Sequence, residues 1–358
     1  MFDLPPAKVL SETFDVELPS RDEPWQIGAI VGPSGSGKST VARAAFGDAV
    51  YAGGDWASDL AVIDGFGDAP IRQVTQTLTA VGLGSPPSWL KPYYALSTGE
   101  KFRADLAKAL LSAECEVRSA ELKNDASSTP HSALRTPHWQ RLVVFDEFTS
   151  VVDRTVAKIA SAAVARAIRR GQIAARLVVV SCHSDILPWL APDWHLDMAT
   201  GRLARDCLRR PPIELRVVEA RHAAWKLFAR HHYLSGALSR AASVYVALWN
   251  ETPVALCATV ALYGHAGRRR IHRLVTLPDF QGVGIGSRLL DFVAEKKQRE
   301  GHRVNITTSH PAVIAHCRRS AQWRAVGVKR SGGARQRKEG MRIKSSSGRA
   351  TVSFEYAR

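Results

Sequence analysis

Two glycine-rich loops carry residue patterns suited to phosphate. The first, Gly32-Pro33-Ser34-Gly35-Ser36-Gly37-Lys38-Ser39-Thr40, fits G-x-x-x-x-G-K-[ST]. It follows an apolar run, residues 27–31, and precedes a helical pattern at 40–46. That strand–loop–helix setting lets successive backbone N–H groups turn onto phosphate oxygens at a helix N-terminus. Gly32, Ser34, Gly35, Gly37 and Thr40 would line a triphosphate, Lys38 would reach its β- and γ-phosphates, and the Ser39 hydroxyl would ligate Mg²⁺. Residues 142–147, Leu-Val-Val-Phe-Asp-Glu, form an apolar run that ends in two carboxylates. At the carboxyl end of a buried strand, Asp146 would hold the Mg²⁺ and Glu147 would polarise an attacking water.

The second loop is Gln281-Gly282-Val283-Gly284-Ile285-Gly286, followed by Ser287 and an amphipathic helical pattern to Glu300. Gln281, Val283, Gly284, Gly286 and Ser287 would cradle a pyrophosphate on backbone N–H groups. The bare glycine spacing leaves a nucleotide loop or a plain turn open. A third cluster, His231-His232-Tyr233-Leu234-Ser235-Gly236, closes a helical pattern. His232 and Tyr233 would serve as a base, a stacking platform or a metal ligand pair. The same residues also suit an ordinary helix C-terminus.

The elements that position these residues fall into two groups. The first loop and the Asp146 strand belong to an α/β pattern that closes with a strand at 194–198. Arg209-Arg210-Pro211-Pro212 then reads as a linker, because proline fixes φ and disfavours helix before it. Beyond it, strands are expected at 213–218, 243–249, 254–263, 271–277, 304–308 and 352–356, with helices at 221–231, 285–300 and 311–320. Residues 119–139 read as an irregular insertion. The chain is long enough for two domains with cores of their own, at 1–208 and 213–358.

Further motifs make the first group specific. Leu96-Ser97-Thr98-Gly99-Glu100-Lys101 precedes a helical pattern and resembles the signature of ABC-type ATPases. Ser150-Val151-Val152-Asp153 resembles their D-loop, and His183 their switch histidine. The resemblance covers roughly residues 8–205. It implies an ATP-hydrolysing domain in which Ser97, Gly99 and Asp153 of one copy serve ATP held by another, hence an ATP-dependent homodimer. Thr98 departs from the usual glycine, and the glutamine expected after the first loop has no clear counterpart. Asp64 ends a predicted strand near that place, while Gln73 and Gln76 fall on a helical pattern. Phe14 is either an adenine-stacking residue or a core strand residue.

The second group resembles the GNAT acyltransferases, whose motif A matches the strand, the loop from Gln281 and the following helix. That resemblance implies acetyl-CoA or another acyl-CoA as donor. The family's usual glutamate and tyrosine are not visible: the expected positions hold His272 and Arg273, and His316 and Cys317. The His232-Tyr233 cluster resembles one found in Mom-type proteins, GNAT-fold enzymes that modify adenine in DNA. The implied fold class is α/β, a P-loop ABC-type ATPase domain followed by a GNAT-fold domain.

Bulk properties bear on partners. The chain of 358 residues carries a net charge of +16, which attracts polyanions. The run 318–349 holds eleven Lys and Arg against Glu339 and reads as basic loops suited to nucleic acid. No run approaches the length of a membrane span. Five scattered cysteines suit reduced thiols in a cytoplasm. Modification of a nucleic-acid base is the leading expectation. An ATPase-regulated protein or small-amine N-acetyltransferase, or a non-catalytic acyl-CoA sensor, stands as the alternative. Acyl-CoA binding is expected to be independent of ATP.

Overall fold

The computed structural model describes residues 13, 15–124, 142–205, 208–233, 237–329 and 350–357, with the backbone alone over 113–124. Phe14, much of the 119–139 insertion, residues 234–236 and the basic residues of 330–349 lie outside the described residues.

The first sheet has the order β2-β3-β1-β4-β5. Its strands are β1 (Ile27–Val31), β2 (Leu142–Phe145), β3 (Arg176–Ser181), β4 (Trp194–Asp197) and β5 (Arg202–Ala204). All neighbours are parallel except β4 and β5. β1, β2 and β3 are buried along their whole length, as strands covered on both faces must be. Around the sheet lie α1 (Lys38–Phe46), α2 (Ile71–Ala80), α3 (Pro86–Trp89), α4 (Thr98–Asn124), α5 (Arg154–Arg169) and α6 (Leu187–Leu190). Asp64 does not end a strand. It closes a 3₁₀ turn, Val62–Asp64, because this short apolar stretch gains only an isolated bridge from Ala61 to Pro92.

The second sheet has the order β11-β12-β10-β9-β8-β7-β6. Its strands are β6 (Arg216–Ala220), β7 (Ser243–Trp249), β8 (Thr252–Ala261), β9 (Arg268–Thr276), β10 (Arg303–Thr308), β11 (Trp323–Lys329) and β12 (Thr351–Tyr356). Between them run α7 (Trp225–Phe228), α8 (Ile285–Arg299) and α9 (Pro311–Arg319). The helix expected over 221–231 is broken: α7 is a single turn flanked by two 3₁₀ turns. The expected basic loop also begins with a strand, since β11 pairs antiparallel with β12. It is an edge strand whose residues after Trp323 are exposed, so its charges face water and hide the strand pattern.

The strands β9 and β10 are the parallel neighbours in this sheet, joined through α8. Their pairing stops at Ile271↔Ile306. β9 continues along β8 to Thr276, and β10 along β12 to Thr308. The two strands therefore part at their carboxyl ends and open a wedge, where α/β sheets place ligands.

Each half has a core of its own, and a further core is shared between them. α5 is buried along most of its length from Val156 to Ile168, with Lys158 and Arg166 the partly exposed exceptions. Ala157, Ala160, Val164, Ala167 and Ile168 face the first half's core. Ile159, Ala162 and Ala163 join Trp189 in a cluster with Phe280, Val283, Ile285 and Leu289 of the second half. The small alanines let both surfaces approach the helix closely.

Candidate active site

At the carboxyl ends of β1, β2 and β3 the first sheet gathers three predicted groups: the loop 32–40, Asp146 and His183. The Ser39 hydroxyl donates to Asp146 Oδ1 at 3.0 Å across the sheet. Lys38 Nζ donates to the Pro33 carbonyl at 2.5 Å, so the loop holds its own cation. Ser39 and Asp146 thus stand together as an oxygen pair fit for Mg²⁺ beside a phosphate. Among the described residues no cluster of three or more His, Cys, Asp or Glu is placed to bind a metal. Glu147 and Thr149 have φ of +52° and +68°, strained values for non-glycine residues.

Ser97 caps α4. Its N–H and hydroxyl both donate to Glu100 Oε2, at 2.9 and 3.0 Å, and the Glu100 N–H returns to Ser97 Oγ at 3.4 Å. This is a reciprocal capping box. Gly99 packs against Val156 of α5. Asp153 caps α5, accepting from Thr155 and Val156 N–H groups at 2.9 and 3.0 Å. The predicted signature and D-loop residues therefore sit at two adjacent helix starts.

A cavity of about 1000 Å³ lies between the halves. The loop 281–287 forms one side, the parted ends of β9 and β10 another, and α2 and α5 of the first half the third. Gly282 and Gly284 hold φ of +89° and +95°, open to glycine at no steric cost. A Cβ on Gly282 would lie 2.6 Å from Ala163 Cβ and 2.9 Å from Gly82 Cα. Among the described residues, no N–H of residues 283–287 donates to another group of the chain. Free N–H groups at the start of a long helix fit the phosphates of a nucleotide-bearing ligand such as acyl-CoA. Gln281 is committed otherwise. Its Oε1 accepts from Gly84 N–H at 2.8 Å and its Nε2 donates to Thr276 O at 2.9 Å. It latches the two halves.

His232 and Tyr233 both line this cavity, their rings stacked at 5.0 Å, with Tyr233 5.9 Å from His310. His310 went unnoticed in the sequence, where an isolated histidine before Pro311 gives no signal. Its Nε2 lies 2.9 Å from the Gly84 carbonyl. A carbonyl only accepts, so Nε2 carries the proton and Nδ1 holds a lone pair. That Nδ1 is buried without a hydrogen-bond partner. Burial pushes the ring's pKa down, partly opposed by the Gly84 bond. His272, also on the wall, falls to about 4 through burial and then the charges of Arg273 and Arg270. Both imidazoles are neutral at pH 7, and neutral imidazole is the form that accepts a proton. His316 also lines the cavity, its Nε2 2.9 Å from Asp291 Oδ1, while Cys317 beside it is fully buried.

Residues 240–319 match the acetyltransferase (GNAT) domain family. The chain thus contains a GNAT acetyltransferase domain in its C-terminal half. Similar solved structures include the IAA acetyltransferase from Bacillus cereus ATCC 14579, 15% identical, covering 40% of this chain and 99% of that one, TM-score 0.32. An acetyltransferase from Bacillus subtilis in complex with CoA is 12% identical over 41% of this chain and 99% of that one, TM-score 0.31. A bacterial Atm1-family ABC exporter with ATP bound is 17% identical over 50% of this chain and 33% of that one, TM-score 0.33. No curated protein matches the chain in sequence. No helix among the described residues is long and apolar enough to cross a membrane.

Proposed function

We propose that the chain is an acyl-CoA-dependent N-acyltransferase acting on a nucleic-acid base, fused to an ABC-type ATP-hydrolysing half. The acceptor class rests on one observation. The cavity joins a stacked His232–Tyr233 face to five arginines, with no aspartate or glutamate among its described lining residues. A cationic amine, as on lysine or a polyamine, needs a carboxylate to hold it. A base needs an aromatic face, and its phosphates need cations.

Bound acyl-CoA would supply an activated thioester carbonyl. The free N–H groups of residues 283–287 hold its pyrophosphate. The backbone edge that β9 turns toward the wedge pairs with the amides of its pantetheine arm. His232 and Tyr233 stack the acceptor base and orient its exocyclic amine. His310 Nδ1 takes the amine proton as the C–N bond forms and the C–S bond breaks, and the sulfur leaves as a thiolate that takes up a proton from solvent. The Gly84 carbonyl keeps His310 in the tautomer this step requires.

In the N-terminal half, Lys38 and the loop N–H groups bind the ATP phosphates, Ser39 and Asp146 hold Mg²⁺, and Glu147 orients water. Exposed Leu90, Tyr94 and Val151 flank Ser97 and Asp153 in the sequence. They support an apolar contact between two copies in which Ser97 and Gly99 complete the partner's ATP site. A base inside a duplex must be turned out before it can react, and closure of such a dimer on DNA could distort the duplex. Reduced thiols suit work in the cytoplasm.

Mass spectrometry of nucleosides from cells with and without the protein tests the reading. An acylated nucleoside that disappears with the gene supports it. Acyl label recovered only on protein or on polyamines would replace the acceptor class.

A further inference from the structure

The cavity's charge is contributed by both halves. Its arginines are Arg72 and Arg166 from the first half and Arg273, Arg318 and Arg319 from the second. Arg166 stands nearest the glycine loop. Its Nη1 lies 2.6 Å from where a Cβ on Gly284 would be, and donates to the Gly282 carbonyl at a long 3.4 Å. Burial, and then the nearby charges of Arg170, Arg210 and Arg319, lower its pKa to about 10. Among the described lining residues of the cavity there is no carboxylate to offset them. Cations crowded together without a carboxylate repel one another, and an anion bound among them would relieve that repulsion. Beside them Gly284, Ile285, Gly286 and Ser287 line the same cavity, and among the described residues the N–H groups of residues 283–287 donate to no other group of the chain.

We propose that Arg166, carried on α5 of the N-terminal half, binds the pyrophosphate of acyl-CoA together with the N–H groups of residues 283–287. The inference rests on the acyl-CoA reading above and extends it: the donor site is completed only by the other half of the chain. α5 begins at the Asp153 cap and reaches Arg166 in the fourth turn, roughly 20 Å away. One rigid helix therefore links the edge of the ATP site to the phosphates of the acyl donor.

Isothermal titration of the full chain decides it, using CoA, dephospho-CoA and S-acetylpantetheine as probes. Arg166→Gln should weaken CoA and dephospho-CoA alike, roughly ten- to hundred-fold, the range for a hydrogen bond to a charged group. S-acetylpantetheine, which lacks phosphate, should bind wild type and variant equally, and this controls for a damaged junction. Arg166→Lys should recover part of the affinity, since an ammonium keeps the charge but loses the fork. Equal CoA affinity in wild type and Arg166→Gln overturns the assignment. So does a loss confined to CoA, which would move Arg166 to the 3′-phosphate, or a loss shared by all three probes. A variant impaired only for oligonucleotide binding would give Arg166 to the acceptor instead. If wild type binds none of the probes, the acyl-CoA reading itself fails, and this proposal with it.

Discussion

The loops at 32–40 and 281–287 both start helices, yet their surroundings are opposite. At the first, a side chain added to Gly35 would meet no atom within 4 Å, and Lys38 folds back on its own loop. At the second, Ala163, Gly82 and Arg166 form a roof supplied by the other half of the chain. An open phosphate loop leaves room for a second copy to complete it. A roofed one already has its second wall, so changes at the junction should reach its ligand. Under the proposed function, similar local patterns would give one site controlled by association and one controlled by the packing of α5.

The largest effect should fall on the proposed base. His310→Ala should lower kcat for acyl transfer to an oligonucleotide by about 10²- to 10⁴-fold, with the KM for acyl-CoA little changed. Because burial lowers the pKa of His310, its neutral form persists below the usual histidine value of about 6.5. Activity should therefore be present above that value and lost as pH falls through the lowered pKa. An acid limb retained unchanged in the variant would move the base elsewhere.

The loops themselves can be set against each other. Gly284→Val places a Cβ at φ +95° and against Arg166, and should weaken acyl-CoA binding by roughly two orders of magnitude through strain and a displaced cation. Lys38→Ala should remove ATP binding and spare acyl-CoA. Titrating each variant with both ligands shows whether the sites are separable. Loss of both ligands in either variant would break the contrast between an open and a roofed loop.

A smaller effect tests the junction. Arg103 is fully buried on α4 and lies 3.9 Å from half-exposed Asp279 in the second half. Asp279→Asn should destabilise the fold by about 1–2 kcal/mol, less than for a fully buried pair because Asp279 is partly screened by water. Urea unfolding followed by tryptophan fluorescence measures it, and an unchanged midpoint would mean that the junction does not use this pair.

The smallest effect is a pH dependence of stability. His272 titrates near 4 in the fold, below the unfolded value near 6.5. Between those values the unfolded chain binds more protons. Stability is thus fully present above about pH 6.5 and is lost as pH falls toward 4. The ring is partly exposed, so screening holds its share to about 1 kcal/mol. His231 and His310, also lowered by burial, act in the same direction. Melting temperatures of wild type and His272→Gln from pH 7 to 4.5 should converge toward the acid end; parallel curves would remove His272 from this account.

Much of the scaffold was legible because its signals are local. β1, β2 and β3 are short unbroken apolar runs, and α8 begins where the glycines of its loop stop. What escaped notice depended on distant partners. β11 carries Arg324 and Lys329 on an exposed edge, and only its pairing with β12 makes it a strand. Residues 221–231 hold a helical pattern, but the chain turns in 3₁₀ steps there as Trp225 and Phe228 sink into a core with Leu238 and Val244. Gln281 fitted the motif as a ligand residue, whereas both ends of its amide are used within the chain.

The sequence by itself determined the two loops, the Asp146 strand end and the excess of positive charge. A phosphate cradle depends on glycine spacing before a helix, and charge is additive along the chain. Only the tertiary structure decided that Gly84 would orient His310, 226 residues away, or that Arg166 would meet a loop 116 residues further on. Those meetings follow from α5, whose alanines let two cores close on opposite faces of one helix. The physical reason is that a residue's chemistry is carried by its type, while its partners are chosen by burial of apolar surface shared between distant segments.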